Sequence, residues 1–356
     1  MIKLFNLDLH ISVIADVKDV LTRLYGTKVQ IDNWTLSGHS WVFNKEPDYV
    51  SVVNQHTWIH LNKQMVQEFV NTYREKLESY DGFIVTHTPV FCRLYETFGK
   101  PIIMVNSCRY DQPYCLTNLT NIEELQELNL CLRRLSSKGL LIPISNNIGD
   151  KNYFELGTGI RSFHIPSLCM YTDIVHNPEY ASHRKPMISC GNGNCIPSFI
   201  DADERPSKYE WSDIMQRKAL ICIPYEVSTM SLFEHYSSGV PIFMPSKDFL
   251  KDLILSKKIE FGSFNTKKYW QGLIPKNILE TTNLDWWLER CDYYDKENMP
   301  YIHLFNSWED LKEQLENFSL TVDFYTLKKV HLEQREKWIL GEWKKIMEHT
   351  FESLRE

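Results

Sequence analysis

Two carboxylates eight positions apart, Glu226 and Glu234, bracket a run of hydroxyl side chains in Ala219-Leu-Ile-Cys-Ile-Pro-Tyr-Glu226-Val-Ser-Thr-Met-Ser-Leu-Phe-Glu234-His-Tyr-Ser-Ser-Gly239-Val-Pro-Ile-Phe-Met-Pro-Ser246. The apolar run before Pro224 reads as a buried strand, the polar residues as a turn, the next segment as a helix, and Val240 onward as a second buried strand. A helix tip entered through Ser228 and Thr229 offers amides and hydroxyls to a diphosphate. A carboxylate is unsuited to a phosphate without a cation between them. Glu226 therefore suits the hydroxyls of a sugar, and Glu234, farther along the helix, suits the diol of a ribose. Without a ligand, the same residues read as a helix cap and an exposed helical acid.

Other residues fit the same ligand. Gly191 and Gly193 permit close backbone approach, although no complete dinucleotide fingerprint and no Gly-Lys-Ser/Thr phosphate loop is present. Arg205 and Lys208 precede Trp211 in a polar loop and can neutralise charge on a departing phosphate. An acceptor hydroxyl needs a base, and His10, His39 and His87 each fall at or near the end of an expected strand. His39 sits in Ser37-Gly38-His39-Ser40-Trp41, where Trp41 can form a platform for a sugar. Asp201-Ala-Asp203 has metal-ligand spacing but lies in a polar loop and reads as a solvated turn, so no metal site is expected. Cys190 and Cys195 have no second pair to complete a zinc site.

The elements that must position these groups alternate along the chain. Strands are expected at Ile2–Leu9, Lys28–Ile31, Val50–Val53, Phe83–His87, Pro101–Asn106 and Leu140–Ile144, with helices after His10 through Leu24, from Lys63 to Tyr80, Val90 to Phe98 and Ile122 to Leu135. Short continuous apolar strands separated by helices indicate a parallel sheet covered on both faces, with its ligand edge at the carboxyl ends of the strands, where His10, His39, His87 and Ser107 converge. After the polar, proline-containing segment Asp173–Pro186, the alternation resumes at Met187–Cys190 and ends with a strand and helix at Tyr301–Phe305 and Trp308–Phe318. The expected division is 1–175 for a first α/β domain, 176–186 for a linker, 187–320 for a second α/β domain and 321–356 for an amphipathic helical tail docked on the body.

Composition narrows the class. With 356 residues, 43% of them hydrophobic, the chain can fill two cores. A formal charge of −7 disfavours a protein built to grip nucleic acid. Nine irregularly spaced cysteines and the absence of a secretory leader suggest reduced thiols in a cytoplasmic protein. No apolar run approaches the roughly 18 residues of a membrane span.

The stretch from Pro224-Tyr-Glu226 to Glu234-His-Tyr-Ser-Ser-Gly239-Val-Pro-Ile resembles the acidic-pair region of GT-B glycosyltransferases, in which two glutamates separated by seven residues precede a small-residue and Gly-Val-Pro-like turn. The resemblance implies an α/β fold of two Rossmann-like domains facing across a cleft, with the acceptor bound by 1–175 and the nucleotide sugar by 187–320, and transfer of a sugar from a nucleoside diphosphate donor, UDP or GDP, to an acceptor hydroxyl on a glycan. It puts Glu226 on the sugar-facing glutamate, Glu234 on the ribose-facing one, and Ser228 and Thr229 on the phosphate-facing turn. No resident cofactor is implied and no oligomeric state is specified. The chain departs from the commoner pattern by Val227-Ser228-Thr229 in place of a Gly-rich turn, by Ser238 before Gly239, and by lacking a Gly-Arg followed by Lys-Gly. The alternatives are a nucleotide-sugar epimerase, which would want an early Gly-rich turn, or another nucleotide-sugar enzyme, and a non-catalytic carbohydrate-binding protein.

Overall fold

The computed structural model describes residues 1–116, 121–191, 193–319 and 321–355, with Cys190 as backbone only. Asn192, within the expected Gly191–Asn194 turn, lies outside the described residues, as do Leu320 and Glu356 at the ends of the expected segments. The chain forms two compact units. The first comprises 1–167, 265–282 and 340–356, and the second 168–264 and 283–339. The expected segments are thus interleaved, because a stretch inside the second half and the last turns of the tail return to the first unit.

In the first unit, strands β1 (Ile2–Asp8), β2 (Val29–Thr35), β3 (Gly82–His87), β4 (Ile102–Asn106), β5 (Leu141–Ser145) and β6 (Phe163–His164) form one sheet in the order β2-β1-β3-β4-β5-β6. All its pairings are parallel. Phe83, Ile84, Val85 and Ile102–Val105 are all buried, which is why β3 and β4 carry unbroken apolar runs, whereas in β1 the buried Leu4, Phe5 and Leu7 share the interior with Asn6 and Asp8. The order reverses between β1 and β3, so that the connections leaving these two strands depart in opposite directions and open a crevice at their carboxyl ends.

The expected strand at Val50–Val53 is absent. Val50 and Val53 are buried, but Val52 has φ +71°, Tyr73 Oη accepts the Ser51 N–H at 3.0 Å, and Thr57 Oγ1 donates to the Val52 carbonyl at 2.7 Å. Side chains satisfy this backbone, so no neighbouring strand is required.

In the second unit, β7 (Met187–Gly191), β8 (Asp203–Glu204), β9 (Leu220–Ile223), β10 (Ile242–Pro245) and β11 (Ile302–Phe305) form a parallel sheet in the order β11-β10-β9-β7-β8. Its reversal lies between β7 and β9. The two-residue strands β6 and β8 are too short to show a periodicity in sequence. Asp203 lies in β8 and pairs with Arg217 at 2.5 Å, while Asp201 pairs with Lys185 at 2.7 Å. The tail is a single helix, Val322–Thr350, whose Ile339, Trp343, Ile346 and Met347 are buried. Among the described residues no helix is long and apolar enough to cross a membrane.

Candidate functional site

In the second unit, β9 ends at Ile223, and Pro224–Ser228 leads into the helix Met230–Ser238, which is capped by Thr229. Thr229 has extended backbone, and its Oγ1 accepts the Leu232 N–H at 3.3 Å and lies 3.2 Å from Ser231 Oγ. This is the arrangement that a Thr three residues before a free amide produces at a helix start. Ser228 Oγ is buried with no hydrogen-bond partner in the protein among the described residues. Three hydroxyls, of Ser228, Thr229 and Ser231, therefore collect at the positive end of this helix.

Glu226 does not cap the helix. The Ser263 hydroxyl donates to Glu226 Oε2 and accepts the Val227 N–H at 3.3 Å, while Tyr293 Oη donates to the Glu226 carbonyl at 3.3 Å. The fit depends on Gly262, because a Cβ there would come within 1.9 Å of Glu226 Oε1. The carboxylate is thus oriented by a loop far away in sequence and stays half-buried.

Glu234 is not an exposed helical acid either, being only 3% exposed. Tyr171 Oη donates to its Oε1, and three aromatic rings gather around it. Tyr171 and Trp211 meet edge to face at 6.2 Å, and Tyr209 and Trp211 at 6.0 Å. The Tyr209 phenol is pushed up by burial and by the charge of Glu234, which places the carboxylate close to that ring. Arg205 Cζ lies 5.6 Å from the Tyr209 ring centroid. Arg205 therefore belongs to the surroundings of Glu234, whereas Lys208 is exposed on the same loop. A buried carboxylate beside half-buried aromatic faces can bind a diol and stack a planar ring at once.

Gly191 closes β7 with φ +84°, and a Cβ there would overlap the Ile223 carbonyl oxygen at 1.5 Å. The backbone that requires this glycine is the chain's own strand β9. Gly193 begins the short turn Gly193–Cys195.

In the first unit, the reversal between β1 and β3 brings His10 and His87 together, with ring centroids 5.6 Å apart. His10 precedes the helix Ile11–Tyr25 without capping it, and its Nδ1 is buried without a partner among the described residues. Burial, and then the nearby His39, pull the His10 pKa down to about 4, while burial and His10 pull His87 down to about 3. Both rings are neutral at pH 7. His39 is exposed at the start of the turn Ser40–Phe43. His87 has φ +73°, a strained conformation for a side chain of this size, and its Nδ1 is 3.4 Å from Ser107 Oγ. Beside them Asp8, accepting from Thr35 Oγ1 at 3.0 Å and Asn33 Nδ2 at 2.7 Å, is raised by burial to about 6 despite these bonds.

Sequence reasoning passed over Tyr171, Tyr209, Trp211, Ser231, Gly262 and Ser263. Trp211 carried a visible signal, an aromatic just after Arg205 and Lys208, where it opens the short helix Trp211–Met215. Tyr171 and Ser263 carried none, because each meets its glutamate only through the fold.

No family model matches the chain, and no curated protein matches it. Among solved structures it is similar to the glycosyltransferase SnogD from Streptomyces nogalater, at 10% identity over 98% of this chain and 99% of that one, with a TM-score of 0.47. It is also similar to HepE from Anabaena in complex with UDP, at 10% identity over 98% and 100% of the two chains and a TM-score of 0.45. A third likeness is to Phytolacca americana UGT2 complexed with UDP-2-fluoro-glucose and pterostilbene, at 9% identity over 95% and 94% and a TM-score of 0.45.

Proposed function

We propose that this protein is a glycosyltransferase that moves a sugar from a nucleoside diphosphate donor, UDP-sugar or GDP-sugar, to an acceptor hydroxyl on a glycan. The observation that carries the reading is the setting of Glu234: a buried carboxylate, held by Tyr171 and flanked by Tyr209 and Trp211, on the helix that begins with Ser228, Thr229 and Ser231. In this reading the second unit holds the donor. The carboxylate takes the ribose diol, the Trp211 and Tyr209 faces take the base, the hydroxyls and helix tip take the diphosphate, and Arg205 adds positive charge to it. Lys208 and the turn of Gly191 and Gly193 border the same site. Glu226, fixed by Ser263, takes hydroxyls of the transferred sugar. The first unit supplies the acceptor and its base, His10, with His39 beside it.

Catalysis then comes from positioning and from charge stabilisation of the leaving diphosphate as it develops, rather than from tight ground-state binding. In calorimetric titrations with UDP and GDP, W211A is expected to weaken nucleotide binding about 5- to 100-fold, following the roughly 1–3 kcal/mol of a base stacked on an aromatic ring. E234A should weaken it too, whereas E226A should lower turnover with little change in nucleotide affinity. Unchanged binding in both W211A and E234A would remove the donor site from this unit.

The histidine assignment makes a separate prediction. Since burial holds His10 near a pKa of about 4, the acid limb of kcat/KM should lie well below the ordinary histidine value of 6.5. A limb at 6.5 that survives H10Q would assign the base to another group.

A further inference from the structure

Asn106, the last residue of β4, is 0% exposed, yet neither Oδ1 nor Nδ2 has a hydrogen-bond partner among the described residues. A carboxamide brings two donors and an acceptor with two lone pairs, and folded proteins rarely leave all of them unmatched in the interior. Its surroundings repeat the pattern. In the sheet register Asn106 stands between His87 and Ser145, which sets the three residues side by side at the carboxyl edge of the sheet. His87 is held in left-handed backbone, and His10, whose ring lies 5.6 Å from that of His87 and is tilted 38° to it, has its own buried and unpartnered Nδ1. Backbone strain and unmatched polar atoms gathered at a sheet reversal mark a place built for a ligand rather than for stability.

The charge at this edge narrows the ligand. Burial keeps both imidazoles neutral. Asp8 is occupied by Thr35 and Asn33, and Arg109, three residues past Asn106, is bound twice by Asp111. The two lysines that act on Asp8, Lys18 and Lys45, also face Asp32 and Asp48, with Lys45 paired to Asp48 at 2.8 Å, so a carboxylate or phosphate would find no uncommitted countercharge in these groups. A hydroxyl, which both donates and accepts, fits them. Two adjacent hydroxyls match a carboxamide best, one donating to Oδ1 and the next accepting from Nδ2.

We propose that Asn106 is the specificity-determining residue of an acceptor subsite for an uncharged vicinal diol, as on a neutral sugar ring, with His10 and His87 reading the flanking hydroxyls. The inference rests on the glycosyltransferase reading and names the chemical class of its acceptor.

The test is saturation-transfer and titration NMR on the full chain with the methyl glycosides of glucose, galactose and mannose, each compared with glucuronate and glucose 6-phosphate. At least one neutral glycoside should bind, and the charged sugars several-fold more weakly. In N106L the affinity should fall about tenfold, as expected for losing two hydrogen bonds to a neutral group. The same variant should melt no lower than wild type, because it removes an amide that the free protein leaves unmatched. A purely structural role for Asn106 predicts the reverse, a lower melting temperature and unchanged binding. If N106L does not fold, N106S carries the same comparison. The proposal is overturned if no neutral glycoside binds, if the variant binds as wild type does, or if the charged sugars bind equally well. Parallel titration with UDP and GDP keeps the two readings apart. Asn106-dependent glycoside binding without nucleotide binding would overturn only the glycosyltransferase reading. Nucleotide binding and turnover without it would overturn only this one.

Discussion

Replacing Asp111 by alanine is expected to destabilise the protein by about 3–5 kcal/mol, the usual consequence of stripping one partner from a buried ion pair. Asp111 is 0% exposed and Arg109 only 4%. Arg109 Nε donates to Oδ1 at 3.2 Å and Nη2 to Oδ2 at 2.7 Å, so the pair is bidentate. Tyr153 Oη donates to Oδ2 at 2.6 Å, and Trp270 Nε1 approaches the same oxygen at 3.1 Å. Burial works against the Arg109 charge, but Asp111 and the Tyr153 phenol outweigh it and the guanidinium pKa is raised. Without Asp111, a buried cation is left with neutral partners only: the Tyr153 hydroxyl at 2.7 Å, Thr266 Oγ1 at 3.3 Å, and the faces of Tyr153 and Tyr269, each 4.7 Å away.

Trp270 and Thr266 belong to the stretch 265–282, which returns to the first unit through these contacts and through Asn277 Nδ2 donating to the Leu156 carbonyl at 2.5 Å. D111A should therefore lower the urea midpoint and also open 265–282 to proteolysis. Adding R109M to D111A should restore much of the loss, because removing both charges costs far less than orphaning one. A single-variant loss below about 1 kcal/mol, or a double variant weaker than the single, would contradict this account.

This network also shows why the sequence was only partly readable. Strands β3, β4 and β9 were legible because each carries a short, buried apolar run next to a turn, β1 because Leu4, Phe5 and Leu7 precede a helical pattern, and the alternation with helices required a parallel sheet. Val50 and Val53 looked alike to that test, since burial by side chains and burial by strand neighbours select the same residue types. Arg109 and Asp111 gave no sign of their role, because Trp270 and Thr266 lie more than 150 positions away. Glu226 and Glu234 could be singled out from the strand–turn–helix around them, but their orienting groups could not. Ser263 and Tyr171 reach them across 37 and 63 residues. His10 and His87 were visible as strand ends, and only the strand order, with β3 beside β1, makes them one cluster rather than two isolated rings.

Lys328 should be the reverse case, a native residue whose removal stabilises. It is 1% exposed, its Nζ donates to the Val240 carbonyl at 2.8 Å, and it lies over the rings of Tyr236 and Phe324 at 5.2 and 5.7 Å. Burial alone lowers its pKa to about 7. The titratable groups sensing it are also basic: His176 and His303, each pulled to about 4 by burial first and by Lys328 last, and His331, lowered by burial, Arg335 and Lys328. Between pH 7 and 10.5 the unfolded chain binds a proton that the folded amine does not, so stability rises with pH there by up to about 1.4 kcal/mol per unit. Below pH 7 the penalty is present in full. Between pH 6.5 and 4 the two histidines add a further loss on acidification for the same reason. K328M keeps the length of the side chain, removes the charge, and leaves the Val240 carbonyl short of one donor, a loss of about 1–3 kcal/mol. The balance favours the variant by about 2–4 kcal/mol at pH 6. Thermal melts from pH 5 to 10 should show K328M above wild type at the acid end, with the gap closing toward pH 10. A variant that melts lower at pH 6, or a gap that does not change with pH, would mean that the amine is not carrying a buried charge.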